Sequence, residues 1–184
     1  MSIPVVLLSE LKDSEIEDLI SVLTSCTWPF HSTPVLEREK LLAQYKEGYF
    51  NGEGKRTFLI KYGIETVGVI RLFDLGENKE DDETPLFDIK IKSEYRGKGI
   101  GGDAVRKLVD LVFNEYPNKY RFDATTRADN TAMRRVFEKS GFVKEAHYRQ
   151  AWPDREGNKY DCAGYSILRQ DWKNKTITPV DWEK

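Results

Sequence analysis

Apolar positions along this chain fall into short alternating runs and longer stretches of helical period. Residues 3–8 read as an opening strand. Ser14-x-x-Glu17 forms a capping box ahead of Ile16, Leu19, Ile20 and Leu23, which recur at helical spacing to about Ser25. An aromatic loop follows, Cys26-Thr27-Trp28-Pro29-Phe30-His31-Ser32-Thr33-Pro34, whose last two residues suit the N-cap and first position of a second helix. That helix carries Leu41, Leu42 and Tyr45 and ends near Gly48. Strand-like runs at 57–62 and 66–73 meet tightly around Gly63, predicting a hairpin. A charged stretch at 77–83 is ended by Pro85, after which Phe87-Asp88-Ile89-Lys90-Ile91 alternates with period two.

Beyond a glycine-rich segment, Val105, Leu108, Leu111 and Val112 stripe a helix beginning near Asp103 and stopping before Pro117; residues 120–126 form the next strand. Strand, helix and strand in that order predict a parallel pair with a right-handed crossover. Asn130 caps a helix with Met133, Val136 and Phe137 on one face, and Gly141 stops it. Strands at 144–152 and 160–168 flank a turn-rich connection. The order is β-α-α-β-β-β-α-β-α-β-β.

Composition narrows the class. With 184 residues, of which 39% are hydrophobic, the chain suits one domain over 1–184 with one sizeable core. A formal charge of −2 offers no global footprint for nucleic acid. Cys26 and Cys162 make no disulfide framework, which favours a reducing compartment, with the cytoplasm as default. No apolar run has the length of a membrane span or a signal segment, so no membrane partner is expected.

Chemistry concentrates at Tyr95-Arg96-Gly97-Lys98-Gly99-Ile100-Gly101-Gly102. Glycines before a helix start let backbone N–H groups face a phosphate, and Lys90, Lys92, Arg96 and Lys98 stand against the one acid Glu94. Gly97, Gly99 and Gly102 also satisfy G-x-G-x-x-G, with Asp123 as a ribose-binding acid. In a dinucleotide fold, however, the first glycine follows directly on the strand, and five residues intervene here. Too little chain follows Asp123 for the further parallel strands that fold needs. A Walker A loop fails because Lys98 precedes Gly99 where Ser or Thr is required.

Arg96-Gly97-Lys98-Gly99-Ile100-Gly101 resembles the Arg/Gln-x-x-Gly-x-Gly/Ala acyl-CoA loop of the GNAT acetyltransferases. Residues 129–142, from Asp129-Asn130 through Phe137 to Gly141-Phe142, resemble that superfamily's second signature, in the branch of the ribosomal-protein N-terminal acetyltransferases. The late Asp161, Tyr165 and Trp172 also fit. The resemblance implies an α/β (α+β) fold: a mixed, mostly antiparallel sheet, a central parallel pair splayed around acyl-CoA, and helices on both faces. It implies acetyl-CoA as cosubstrate, no metal, and direct attack by a primary amine in a ternary complex. It places the cofactor against backbone at Ile89 and Ile91, the loop from Arg96 to Gly101, Asn130 and Phe137.

The acid–base chemistry is open in the sequence. Asp88 and Asp123 each alternate away from apolar neighbours, so one is a candidate base, a cation-binding acid or a surface charge; Glu83 is a third candidate. Asn130 serves as pantetheine contact, helix cap or both. Family members carry Tyr at the position of Phe137 and Ser at that of Met133, so the thiolate is protonated by water, by Tyr148 or Tyr165, or turnover is lost and the chain is a CoA-binding module. Trp28, Phe30 and His31 are expected to wall the acceptor cleft, or to fold inward as core anchors. The acceptor is an amine-bearing small molecule, cationic given Asp88 and Asp123, or a protein N-terminus; a monomer or homodimer is expected. His31 and His147 lack partners at metal spacing, and the cysteines form no C-x-x-C.

Overall fold

The computed structural model describes residues 4–76 and 84–183. The charged stretch at 77–83, with Glu83, lies outside the described residues. Strands β1 (Val6–Glu10), β2 (Arg56–Tyr62), β3 (Glu65–Phe73) and β4 (Leu86–Ile91) form an antiparallel sheet in that order. Strands β5 (Arg121–Arg127), β6 (Val143–Pro153) and β7 (Lys159–Leu168) form a second antiparallel sheet ordered β5-β7-β6. The helices are α1 (Ile16–Thr24), α2 (Arg38–Lys46), α3 (Ile100–Glu115), α4 (Thr131–Lys139) and α5 (Arg169–Asn174).

Strand alternation distributes the first sheet between two cores. Phe58, Ile60, Ile70 and Leu72 face α3 and the second sheet, while Leu59 and Val69 face α1 and α2. Helices therefore cover both faces. α3 buries Ile100, Ala104, Val105, Leu108, Val109, Val112 and Phe113, whereas Leu111 is only partly buried. Each fully buried aliphatic side chain on that face contributes about 1.5–3 kcal/mol, which fixes α3 across the junction of the sheets.

The expected parallel pair is β4 and β5, but the two strands form no ladder. The Asp123 N–H donates to the Pro85 carbonyl at 3.1 Å where the strands begin, and β4 and β5 then belong to separate sheets. Their facing edges are left open, and that opening is the functional feature of the fold.

Three helix starts differ from the sequence expectation. Ser14 lies inside a 3-10 turn (Asp13–Glu15), and the reciprocal bond is from the Lys12 N–H to the Glu15 carboxylate at 3.3 Å. α2 begins at Arg38 and not at Pro34, because the Pro34 carbonyl accepts from the Trp28 N–H at 2.8 Å and closes the aromatic loop on itself. α3 begins at Ile100, ahead of Asp103, because Gly99 at φ +82° already turns the chain into helical geometry. The short α5 has too few apolar positions to show a period.

Candidate active site

The gap between β4 and β5 opens into two cavities with a common wall. One, of about 520 Å³, is bounded by the β4 edge, the glycine segment, the start of α3 and one face of α4. Its backbone donors follow from strand register. The Lys92 N–H donates to the Val67 carbonyl at 2.9 Å, so alternate residues Lys90 and Asp88 also turn their backbone groups towards β3. Ile89 and Ile91 turn theirs to the open edge. The Ile91 carbonyl is accordingly taken by Arg96 Nε at 2.9 Å, and the Ile89 N–H points to the cleft.

The glycine segment continues this polar surface. Gly97 and Gly99 hold left-handed φ of +75° and +82°, and a Cβ at either would meet nothing within 4 Å, so both border open space. In the first turn of α3 the Asp103 N–H reaches back to the Gly99 carbonyl at 3.1 Å. The N–H groups of Ile100, Gly101 and Gly102 precede the first intrahelical acceptor and are available to an anion at the positive end of the helix. Lys90, Arg96, Arg106, Arg135 and Lys139 line this cavity, with no carboxylate among its described lining residues. In a chain of net charge −2, that segregation marks a polyanion site. The residues present fit the pyrophosphate and phosphate of CoA.

The second cavity, of about 440 Å³, lies between α1, α2, β3, β4, β5 and α4. Phe30, His31, Ile89, Lys90, Asn130 and Met133 belong to both cavities and form their junction. At that junction His31 Nε2 stands 2.8 Å from Asp88 Oδ1, and Lys90 Nζ pairs with Asp88 Oδ2. Burial pushes the Asp88 carboxyl up, but the Lys90 charge and the His31 hydrogen bond outweigh it and hold the group well below the usual carboxylate range. Asp88 is a fixed anion. His31 Nδ1 is buried and has no hydrogen-bond partner among the described residues.

Several sequence expectations change at this point. Asp123 lines neither cavity: Arg121 Nε donates to its Oδ1 at 2.8 Å, and Arg121 also binds Glu145, on the face away from the core. Burial raises the Asp123 carboxyl in spite of Arg121. Asp88 and Asp123 share no partner, because β4 and β5 part after their first residues. Lys90 is not a phosphate ligand of the loop, since its ammonium is bound to Asp88. Phe137 is 2% exposed and packs on Phe87, Phe142 and Tyr165; it borders the second cavity and not the basic one.

Trp28 is 3% exposed, donates from Nε1 to the Leu23 carbonyl at 2.9 Å and lies under the Arg96 guanidinium; it pins the loop and reaches only the basic cavity. Phe30 and His31 line both cavities. Lys98 stacks over Tyr95. Asn130 both caps and lines the site: its Oδ1 accepts from the Met133 N–H at 3.2 Å and its Nδ2 donates to Thr126 Oγ1 at 3.1 Å. Tyr165 is buried between Arg134 and Glu138, and Tyr148 is an exposed residue of β6, so neither replaces a missing acid at the junction. Burial raises the Cys162 thiol, which suits packing and not nucleophilic attack. Among the described residues no group of three His, Cys, Asp or Glu side chains is placed to hold a metal ion, and no helix is long and apolar enough to cross a membrane.

Arg106, Arg135 and Lys139 escaped the sequence reading. The four-residue spacing of Arg135 and Lys139, beside Ala132 and Val136, is the signal that places them together on one face of α4.

Comparison with known proteins agrees with this geometry. The Acetyltransferase (GNAT) family profile matches residues 16–142. The chain is 28% identical over 138 residues to YdaF of Bacillus subtilis, named as a candidate ribosomal N-acetyltransferase, covering 75% of this chain and 72% of that protein. Its fold matches the spermidine N-acetyltransferase of Vibrio cholerae in complex with CoA and spermine, with a TM-score of 0.75 at 19% identity over 92% of this chain and 98% of that one. A chimera of that enzyme's SpeG chain gives a TM-score of 0.76 at 18% identity, over 92% and 98% of the two chains. With a profile that spans most of the chain and a cleft built for CoA, the protein belongs to the GNAT acetyltransferase family and is an N-acetyltransferase that uses acetyl-CoA.

Proposed function

We propose that the protein transfers the acetyl group directly from acetyl-CoA to a primary amine, with both substrates bound, the thioester at the junction of the two cavities. The meeting of a basic cavity and a second, aromatic-walled one at a six-residue wall is the observation that supports this reading. The Ile89 N–H on the open edge of β4 polarises the thioester carbonyl, since an oriented backbone donor stabilises the oxygen on which charge develops. The amine nitrogen forms the new bond to the carbonyl carbon, and the carbon–sulfur bond breaks.

The amine must lose a proton. Asp88 is held too low to be an effective base near neutrality, and it serves to orient His31 and to stabilise the imidazolium. Imidazole is the side chain suited to that proton transfer. His31 takes the proton; its Nε2 is held by Asp88 and its Nδ1 is buried without a partner among the described residues, so the ring must turn towards the amine for Nδ1 to receive it. The leaving thiolate is protonated by solvent, because Met133 and Phe137 carry no proton to give. Asn130 holds the start of α4 against Thr126 and keeps the junction open.

The test is acetyl-CoA-dependent thiol release across a panel of primary amines, for the natural chain and for His31→Gln. Release with at least one amine is expected. The variant should lose most of its kcat and the acid limb of its pH profile while keeping its KM for acetyl-CoA. CoA binding without release for any amine would establish a binding module instead, and an unchanged pH profile would remove His31 from the proton path.

A further inference from the structure

The second cavity says what kind of amine enters. We propose that the acceptor is a primary amine carried on a compact apolar or aromatic body, of the arylalkylamine class, and not a polycation. This rests on the transfer reading above. Three observations carry it.

The first is charge. The described walls of this cavity hold one carboxylate, Asp88, against two cations, Lys90 and Arg71. That carboxylate already accepts from Lys90 and His31, and burial of a second ammonium without a counter-charge is strongly unfavourable. The sequence expectation of a cationic acceptor drew on Asp88 and Asp123, and Asp123 is elsewhere.

The second is uncovered apolar surface. Phe30, Leu36, Phe73 and Trp152 are only partly buried, and the cavity is what lies against them. Tyr49 is 39% exposed, with its ring stacked 3.9 Å from the Arg71 guanidinium, so it is held in place before any ligand arrives. Aromatic walls beside one ordered acidic corner, with Thr33, Gln44 and Thr125 as neutral polar neighbours, suit a ligand with an apolar body and a single reactive nitrogen.

The third is size and direction. A volume of about 440 Å³ lies within the about 300–1,000 Å³ of small-molecule sites. Its acidic corner, where His31 and Lys90 meet Asp88, coincides with the junction where the thioester is placed. An apolar body filling the cavity therefore delivers its amine to the reacting carbon, and a second cationic end would meet no second carboxylate among the described lining residues.

Phenethylamine, spermidine and a tetrapeptide with a free N-terminus are compared on the whole chain in two ways. Calorimetry on the CoA-saturated protein reads binding, and thiol release reads kcat/KM. Phenethylamine should bind measurably and exceed spermidine by at least about tenfold in kcat/KM, the discrimination that one apolar group confers. Leu36→Asp adds an anion to the wall and should shift the preference towards spermidine by about tenfold or more. If that variant does not fold, Thr33→Asp on the aromatic loop replaces it.

Equal or better use of spermidine by the natural chain would overturn the proposal, as would binding of the tetrapeptide in place of phenethylamine or binding of none of the three. If CoA binds and no amine is turned over, the transfer reading fails, while the binding order of the three amines still decides the cavity's chemistry.

Discussion

Replacing Gly99 separates the terms that the phosphate cradle combines. At φ +82° any residue with a Cβ is strained by about 1–2 kcal/mol, which Gly99→Ala isolates because its methyl meets nothing within 4 Å. Gly99→Lys carries the same strain with a favourable charge, and Gly99→Glu carries it with an unfavourable one. Two like charges about 4 Å apart at an effective dielectric near 20 repel by about 4 kcal/mol. Solvent around the exposed loop reduces that to about 2–3 kcal/mol, or about 30- to 150-fold in Kd. Titration calorimetry with CoA should therefore place Gly99→Glu far behind Gly99→Ala, and Gly99→Lys ahead of Gly99→Ala. Thermal denaturation without ligand should show the three variants equally destabilised. A Gly99→Glu affinity within about threefold of Gly99→Ala would refute the placement of the phosphates at this turn.

Asp88→Asn strands Lys90, which is 8% exposed, beside an uncharged partner. Breaking a fully buried pair costs about 3–5 kcal/mol, and the partial exposure of Asp88 lowers this to about 1–3 kcal/mol, or about 2–12 °C in Tm. Because the folded-state carboxyl is depressed, the stability it contributes is complete above its unfolded value near about 4 and is lost as pH falls through the lower folded value. The gap between natural and variant Tm should persist from neutral pH to about 5 and close only in stronger acid; a gap that closes at about pH 6 would contradict the pairing. Gly68→Ala should destabilise by about 1–3 kcal/mol in the denaturant midpoint, since its Cβ would meet the Lys90 carbonyl oxygen at 2.6 Å and Ile91 Cδ1 at 2.7 Å. An unchanged midpoint would argue against the β3–β4 register.

The cradle itself was legible in the chain. Glycines, a helix start and nearby basic residues are local features, and local backbone conformation follows from local sequence. The Asn130 cap and the Gly141 stop of α4 were legible for the same reason. Helix starts were less so. The Pro34 carbonyl binds Trp28 across the loop, and no short pattern announces such a bond.

Tertiary structure decided the chemistry of the gap. Strand alternation places Asp88 and Asp123 equally well, yet β4 and β5 part beyond the Asp123–Pro85 hydrogen bond, sending Asp88 to the junction and Asp123 to an outer network with Arg121. The pairing of His31 with Asp88 spans 57 positions, and only the folded loop brings them to 2.8 Å. Phe137 reads as a cofactor contact by position and is a core residue by packing. Sequence determined the elements and the phosphate turn because those depend on neighbours along the chain. Which charges meet across the cleft depends on how two separate sheets diverge, and that is settled by the packing of α3 and α4 between them.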